Sequence, residues 1–518
     1  MQRFAYLLAG LVLVGAWGAL RAEEDGPQDD GKHAAPANIP PAPTSNVVHK
    51  AGDIVIEPAT IDVAVGKVEY ELGTFYVPEN RSDPKSRVIG IGFARIKATK
   101  QTGAPPTFHL PGGPGNSYLS MLKGVINNLL RFRVISDVVI VDQRGFSDRG
   151  EVLKFSYKYP DEPLDQPGSI GRSTAAFVEM SKAAVADYAK NHPNVDLKGY
   201  TAKECAADVN DLRKALGYEK IQLVGISYGS QWSFATMRLF PEIVARAMLS
   251  GVEPLNDGYD MPTLVMEGVK RQWKVAEADK GLAPYIPEGG LEAAAKAVLK
   301  RFETPIKVTV KDKSGAEVTV TLGKEDVQRD LLHRGPDGPA WLLSLYHQHY
   351  DAWALSVIGR RRAHQAEQKM IGPLIDTSLG VTPEREKQLR SDPATEFLGQ
   401  WNWDAYIASK DIWPTDDVGD DFRTPVKTEI PVLFLQGDWD INTPVENTLN
   451  IAKSFTHSKV LICEHGGHGT IEGTARNCPK EWVEVLKFVE TGELPTLPEK
   501  VTFPLPKFPL PDFPAPTK

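Results

Sequence analysis

Residues 221–231 read IQLVGISYGSQ, a mostly apolar run that breaks into Gly225-Ile226-Ser227-Tyr228-Gly229, with a helix-like stretch following to Leu239 before Pro241. A hydroxyl between two glycines, where a buried strand turns into a helix, is the pattern of a nucleophile elbow. The turn is so tight that its flanking positions tolerate almost no side chain, and Ser227 is lifted above the sheet edge. A serine hydroxyl is a weak nucleophile at neutral pH, so an imidazole must take its proton and a carboxylate must orient that imidazole. In a sheet-based arrangement these partners follow in the order Ser, acid, His, each just past a later strand.

Both partners are found in that order. After PVLFLQG comes Asp438-Trp439-Asp440-Ile441-Asn442-Thr443-Pro444, and after KVLICEH comes Gly466-Gly467-His468-Gly469. Of His465 and His468 the second is favoured, because flanking glycines let its ring reach across to the elbow. Local spacing alone leaves Asp438 and Asp440 open. Attack on a carbonyl also creates an oxyanion that needs hydrogen-bond donors. The elbow supplies the backbone N–H of Tyr228. The loop after the earlier strand TFHL, Pro111-Gly112-Gly113-Pro114-Gly115, supplies a second donor, and Gly113 is favoured over Gly112.

Elements that could carry these loops recur along the chain. Strand-like runs are KVEYELGTFYV, SRVIGIGFARI, TFHL, VISDVVIVD, KIQLVGI, ARAMLSG, PVLFLQG and SKVLICEH, several of them continuously apolar, as strands covered on both faces of a parallel sheet must be. TAKECAADVNDLRKALG predicts a helix capped by Thr201 with Glu204 reaching back, its stripe of Cys205, Val209, Leu212 and Leu216 packed on the sheet, and Gly217 as its stop. From about residue 256 to 428 the apolar strands give way to amphipathic helical stretches and one hairpin, IKVTVKDKSGAEVTVTL, with Ser314-Gly315 as its turn. The strand pattern then resumes, so this segment reads as a cap inserted into one sheet.

The expected division is therefore a core over 46–255 and 429–492 with a cap over 256–428. Residues 1–22, with Arg3 before an apolar run from Phe4 to Leu20, read as a secretory signal peptide, an uncleaved anchor being the competing reading. Residues 23–45 read as a disordered acidic and Pro-rich leader, and 493–518 as an extended Pro-rich tail on the surface. The protein is expected to be exported, periplasmic or extracellular, with no stable membrane insertion once the signal is cleaved. A formal charge of −8 over 518 residues, with no basic face, excludes nucleic acid as the expected partner. Three cysteines exclude a disulfide scaffold; Cys463 and Cys478 are close enough in sequence to pair, free thiols being the alternative reading, and Cys205 reads as core.

In combination, LPGGPGNSY, VIVDQRG, LVGISYGS, GDWDINTP and GGHG resemble the prolyl-aminopeptidase and tripeptidyl-aminopeptidase branch of the α/β-hydrolase serine peptidases. Pro111 in place of His before the two glycines is closer to the tripeptidyl branch. The resemblance covers most of 68–256 and 428–490 and is loose through the cap. It implies an α/β-hydrolase fold, a mostly parallel central sheet flanked by helices, with a large mainly helical cap. By the family pattern Gly-x-x-Asp-x-x-Thr-Pro it implies Asp440 as the acid, with Gly437, Thr443 and Pro444 in register, Ser227 as nucleophile and His468 as base. It further implies that Asp142 and Arg144 brace loops. GFSDRG stands where the family continues Gly-x-Gly-x-Ser.

Such enzymes cleave short peptides from a free amino end, which an acid in the cap holds by its ammonium. Glu396, Asp404 and Asp351, lying among Trp401, Trp403, Tyr350 and Trp353, are the candidates, each of them also readable as a solvated helix face. The expectation is thus an aminopeptidase-type serine peptidase acting on a peptide with a free N-terminus, with no metal or organic cofactor. Its rivals are a carboxylic ester hydrolase with the same triad and a catalytically silent binding protein on the same fold.

Overall fold

The architecture follows from a computed structural model that describes residues 48–516 apart from 64–65, 257, 333–334, 363, 402 and 426. The expected signal peptide and leader lie outside the described residues. The strands in chain order are β1 (Ile54–Val63), β2 (Gly66–Pro78), β3 (Val88–Ile96), β4 (Thr107–Leu110), β5 (Val138–Val141), β6 (Lys154–Tyr159), β7 (Ile221–Ile226), β8 (Val244–Ser250), β9 (Ile306–Lys311), β10 (Glu317–Leu322), β11 (His364–Lys369), β12 (Val432–Gly437), β13 (Ser458–Glu464) and β14 (Lys500–Thr502). Ten of them form one sheet in the order β1-β2-β3-β5-β4-β7-β8-β12-β13-β14. Pairing is antiparallel from β1 to β5 and parallel from β5 onward. This is the α/β-hydrolase fold.

The apolar strands are continuous because successive side chains feed two different cores. Val139, Leu223 and Phe434 join the cluster beneath the helices Ile170–Asn191, Ala202–Ala215 and Tyr228–Leu239. Val138, Val224 and Leu433 join the cluster beneath Leu122–Leu129, Thr470–Asn477 and Pro479–Thr491. In the helix Ala202–Ala215 the Thr201 hydroxyl accepts from Glu204 N–H at 3.3 Å, as predicted, and Gly217 adopts φ +75° just past the end. The second half of the capping box does not form. Glu204 instead accepts from Arg81, whose guanidinium also reaches Asp208 and Asp211 at 2.7 Å, a denser charge partner than one backbone amide.

Between β8 and β12 the described chain adds no strand to the large sheet. It forms helices such as Pro262–Ala276, Gly290–Arg301 and Asp351–Arg361 and the hairpin of β9 and β10, around a separate cluster that includes Trp273, Phe302, Trp353 and Trp401. This segment is tied back to the core along β11, which pairs antiparallel with β6, the ladder continuing where Met370 N–H donates to Leu153 C=O at 3.1 Å.

The tail differs from the surface segment expected. Lys500–Thr502 pairs with the edge of β13, a position where neighbouring prolines cost no ladder bonds. Phe503 and Phe508 are then buried, Phe508 beside Trp439 in the cap cluster, and Phe513 packs on Tyr285 and stacks on His349 at 3.8 Å. The tail is a strap from core to cap. All three cysteines are buried and free.

Candidate active site

Strand register alone gathers the loops singled out in the sequence. Leu110 pairs with Gly225, Ile226 with Ser250, Ser250 with Leu435 and Gly437 with Cys463, so β4, β7, β8, β12 and β13 end side by side at their carboxyl ends. Immediately beyond those ends lie Gly112 and Gly113, Ser227, Gly251, Asp440 and His468. Ser227 adopts φ 58° and ψ −130°, a conformation costing about 1–3 kcal/mol for a residue with a side chain. Its N–H is held by Ser250 C=O at 3.0 Å, and its C=O accepts from the Ser230 hydroxyl at 2.7 Å.

The flanking glycines are obligatory. A Cβ on Gly229 would lie 2.0 Å from Leu110 C=O, and one on Gly225 would lie 2.3 Å from Gly229 C=O, both backbone collisions that nothing could relieve. Ser227 Oγ is buried, with the residue 3% exposed, and makes no hydrogen bond among the described residues.

Of the two aspartates, Asp440 meets the imidazole: His468 Nδ1 lies 2.9 Å from Asp440 Oδ2, with the Thr443 hydroxyl 3.2 Å away. Asp440 is fixed by its own loop, accepting from Asn442 N–H and Thr443 N–H at 2.9 Å on one oxygen and from the Thr443 hydroxyl at 2.6 Å and Gln436 Nε2 at 3.0 Å on the other. Burial opposes its ionisation, but the charge of His468 and the hydrogen bonds from His468 and Thr443 outweigh it and hold its pKa below the usual carboxylate value. Asp438 points elsewhere and accepts His465 N–H at 2.8 Å, while His465 Nδ1 lies 3.0 Å from Phe503 C=O. That histidine anchors the strap.

Gly251 (φ +54°) forms the floor beneath His468, where a Cβ would come within 2.7 Å of the ring Cε1. Since Ser250 C=O holds Ser227 N–H, the imidazole stands over the residue next to the serine's own anchor. Gly112 packs against Ser227 from the other side, a Cβ there lying 3.0 Å from Ser227 Cβ. Tyr228 turns its side chain into the core beside Trp232, and its backbone N–H is the first of the helix that begins just after Ser227, without an intrahelical acceptor.

Arg144, fully buried, donates to Asp208 at 2.6 Å and to the carbonyls of Glu79 and Gly199 at 2.5 and 2.6 Å. Asp142 accepts from the Ser117 and Ser147 hydroxyls at 2.9 and 3.1 Å. Burial raises its pKa to about 7 against those bonds.

The three cap acids are not gathered with these groups. Asp404 accepts from the Thr174 hydroxyl at 2.8 Å and pairs with Arg390 at 3.3 Å, while Glu396 and Asp351 are exposed. Among the described residues none of them shares a hydrogen bond or ion pair with the loops around Ser227.

Two residues passed over in the sequence contribute directly to the setting. Gln436, buried in β12, donates to Asp440 and to Thr443 C=O and accepts from Val252 N–H, joining the acid's loop to the floor under the imidazole. A glutamine inside an otherwise apolar buried strand was the available signal, since a buried amide must find partners. Gly251 had none, because its constraint is a ring arriving from 217 residues later.

Residues 108–280 match the family described as alpha/beta hydrolase fold, and residues 400–501 the family described as TAP-like protein. Over 466 residues, 80% of each chain, the sequence is 23% identical to the tripeptidyl aminopeptidase of Streptomyces lividans. Over 239 residues it is 25% identical to the serine protease Hip1 of Mycobacterium tuberculosis, a match covering 45% of this chain and 46% of that protein's length. Among solved structures, a thermophilic esterase from Thermogutta terrifontis matches 81% of this chain and 99% of its own, at 17% identity and a TM-score of 0.33. In fold the chain is an α/β hydrolase, and in sequence it is similar to serine peptidases of that superfamily.

Proposed function

We propose that the protein is an exported serine exopeptidase that removes short peptides from a free N-terminus, in the manner of a tripeptidyl or prolyl aminopeptidase. The observation that carries this reading is the 2.9 Å bond between His468 and Asp440 at the sheet end where Ser227 occupies its strained turn. Ser227 Oγ attacks the substrate carbonyl as His468 Nε2 takes its proton, and the resulting oxyanion is met by the N–H groups of Tyr228 and Gly113. His468 passes the proton to the leaving amine and the C–N bond breaks, leaving an acyl-enzyme. Water, deprotonated by His468, then cleaves the ester and restores Ser227.

Asp440 keeps Nδ1 protonated and stabilises the imidazolium without itself accepting the proton. Likeness to the tripeptidyl aminopeptidase over 80% of both chains supports peptide amides as the substrate class. The apolar run behind Arg3 supports export.

The test is turnover of unblocked mono-, di- and tripeptide chromogenic amides against their N-acetylated forms. Release from free amines alone is expected, with Ser227→Ala lowering turnover by about 10⁴-fold or more while the protein stays folded. Equal turnover of acetylated amides would sink the free-amine requirement, and hydrolysis of short acyl esters with no amide turnover would sink the peptidase reading.

A further inference from the structure

Gln143 lies two residues past the end of β5 and is fully buried. Its side chain crosses to the glycine loop and holds it twice: Oε1 accepts Gly115 N–H at 2.7 Å, and Nε2 donates to Gly112 C=O at 3.2 Å. These contacts fix the amide's orientation, because only the oxygen can accept from Gly115 and only the nitrogen can donate to Gly112.

The second bond has a geometric consequence. Gly112 C=O and Gly113 N–H belong to one peptide group, which is planar and trans, so they point in opposite directions. A donor that holds the carbonyl to one side turns the Gly113 N–H to the other. Gly113 has φ +120°, open to glycine and hardly to any other residue, so the plane is free to be set in this way.

The far end of the loop is held from the cap. Lys369, at the end of β11, donates from Nζ to Gly115 C=O at 2.9 Å while lying 4.4 Å over the Phe146 ring, and Ile371 covers Gly115 so closely that a Cβ there would sit 3.2 Å from Cγ2.

We infer that Gln143 is the positioning residue of the oxyanion hole, setting the peptide plane whose N–H meets the developing charge, and that Lys369 holds the same loop from the cap. This rests on the serine-peptidase reading above. Gln143 touches neither leaving group nor nucleophile in this role; it acts through the Gly112–Gly113 peptide. Lys369 makes the seating of the cap a condition for that plane to be correctly set.

The test compares the full-length protein with Gln143→Met, which keeps the length of the side chain and loses the donor to Gly112 together with the acceptor for Gly115, whereas a buried glutamic acid would take up a proton and donate in its place. The expected result is a fall in kcat on the order of 10²-fold, the loss typical of one oxyanion donor, with KM changed by less than about threefold. The affinity for a substrate-like peptide aldehyde, whose tetrahedral adduct on Ser227 uses the same donors, should fall in parallel. Unchanged kcat, or a fall in kcat with aldehyde affinity retained, would overturn the inference, since a merely structural role lowers the active fraction without touching that affinity.

If Gln143→Met does not fold, the half-buried Lys369 decides. Lys369→Met must then lower kcat and aldehyde affinity together and Lys369→Arg must restore both; parity of Lys369→Met with the wild type overturns the inference. A wild-type protein that neither turns over amides nor labels at Ser227 with a fluorophosphonate would instead sink the underlying reading.

Discussion

Replacing Gly251 by alanine adds one methyl group beneath the imidazole and nothing else. The new Cβ would lie 2.7 Å from His468 Cε1, 3.0 Å from Nδ1 and 3.3 Å from Nε2, whereas ordinary contact begins at 3.4 Å, so the ring must retreat by about 0.7 Å. The Asp440 loop cannot follow, being fixed by Asn442, Thr443 and Gln436. The 2.9 Å bond to His468 therefore stretches or bends. Misplacement of a catalytic group by about 1 Å costs on the order of 10²-fold, so a loss of roughly 10- to 100-fold in kcat/KM is expected. The left-handed conformation adds about 1–2 kcal/mol of strain.

Gly217→Ala separates the two effects: φ there is +75°, yet nothing lies within 4 Å of the added Cβ. It should share the loss of stability in urea unfolding and keep full activity. If Gly251→Ala hydrolyses its best peptide amide within twofold of the wild type, the ring does not rest on Gly251 and the account of its positioning is wrong.

Further outcomes follow from the buried acid and the strap. Because burial raises Asp142 to about 7, the folded protein keeps a proton that the unfolded chain releases near its ordinary value of 3.8. Raising the pH from about 4 to 7 should therefore cost stability through this group, with the loss complete above its folded pKa. Asp142→Asn should gain relative to the wild type across that window in urea unfolding; a difference that does not vary with pH would mean Asp142 is ionised in the fold. Phe508→Ala should destabilise by about 3 kcal/mol through the cavity left beside Trp439, while Leu505→Ala, at a side chain 54% exposed, should cost less than about 0.5 kcal/mol. Equal effects would show that the strap is not packed as described.

The hairpin of β9 and β10 was legible from its alternation and turn, and the eight strands anticipated for the large sheet, all but the short β4 with residues in both cores, were legible because burial on two faces leaves a mark that needs no partner to be recognised. β11, HQAEQK, carries no such mark and is a strand only because β6 lies beside it. β1 contains Pro58 and sits at the sheet edge, where a missing N–H is tolerated. The serine, the acid and the imidazole were legible because each follows a strand, and parallel register converts that into proximity. Asp438 and Asp440 were not separable by spacing, since one and three residues past β12 are equally near. What separates them is the turn, in which Asp438 accepts the amide of His465 and Asp440 those of Asn442 and Thr443. In the tail, prolines signalled the absence of helix, while Phe503, Phe508 and Phe513, five residues apart, carried an overlooked sign of anchorage. Gln143 was invisible for a different reason: its task depends on the direction of a peptide group about 30 residues earlier.

The chain leaves the large sheet at Ser250 and rejoins it at Val432. The turn between β9 and β10 is an exposed stretch along that excursion. A single proteolytic cut there would place the hydroxyl on one fragment and the acid and imidazole on the other, with β8 and β12 still zipped along their length. The covalent link is thus dispensable in principle, and a bipartite version, each half inert alone, would recover hydrolysis only upon complementation.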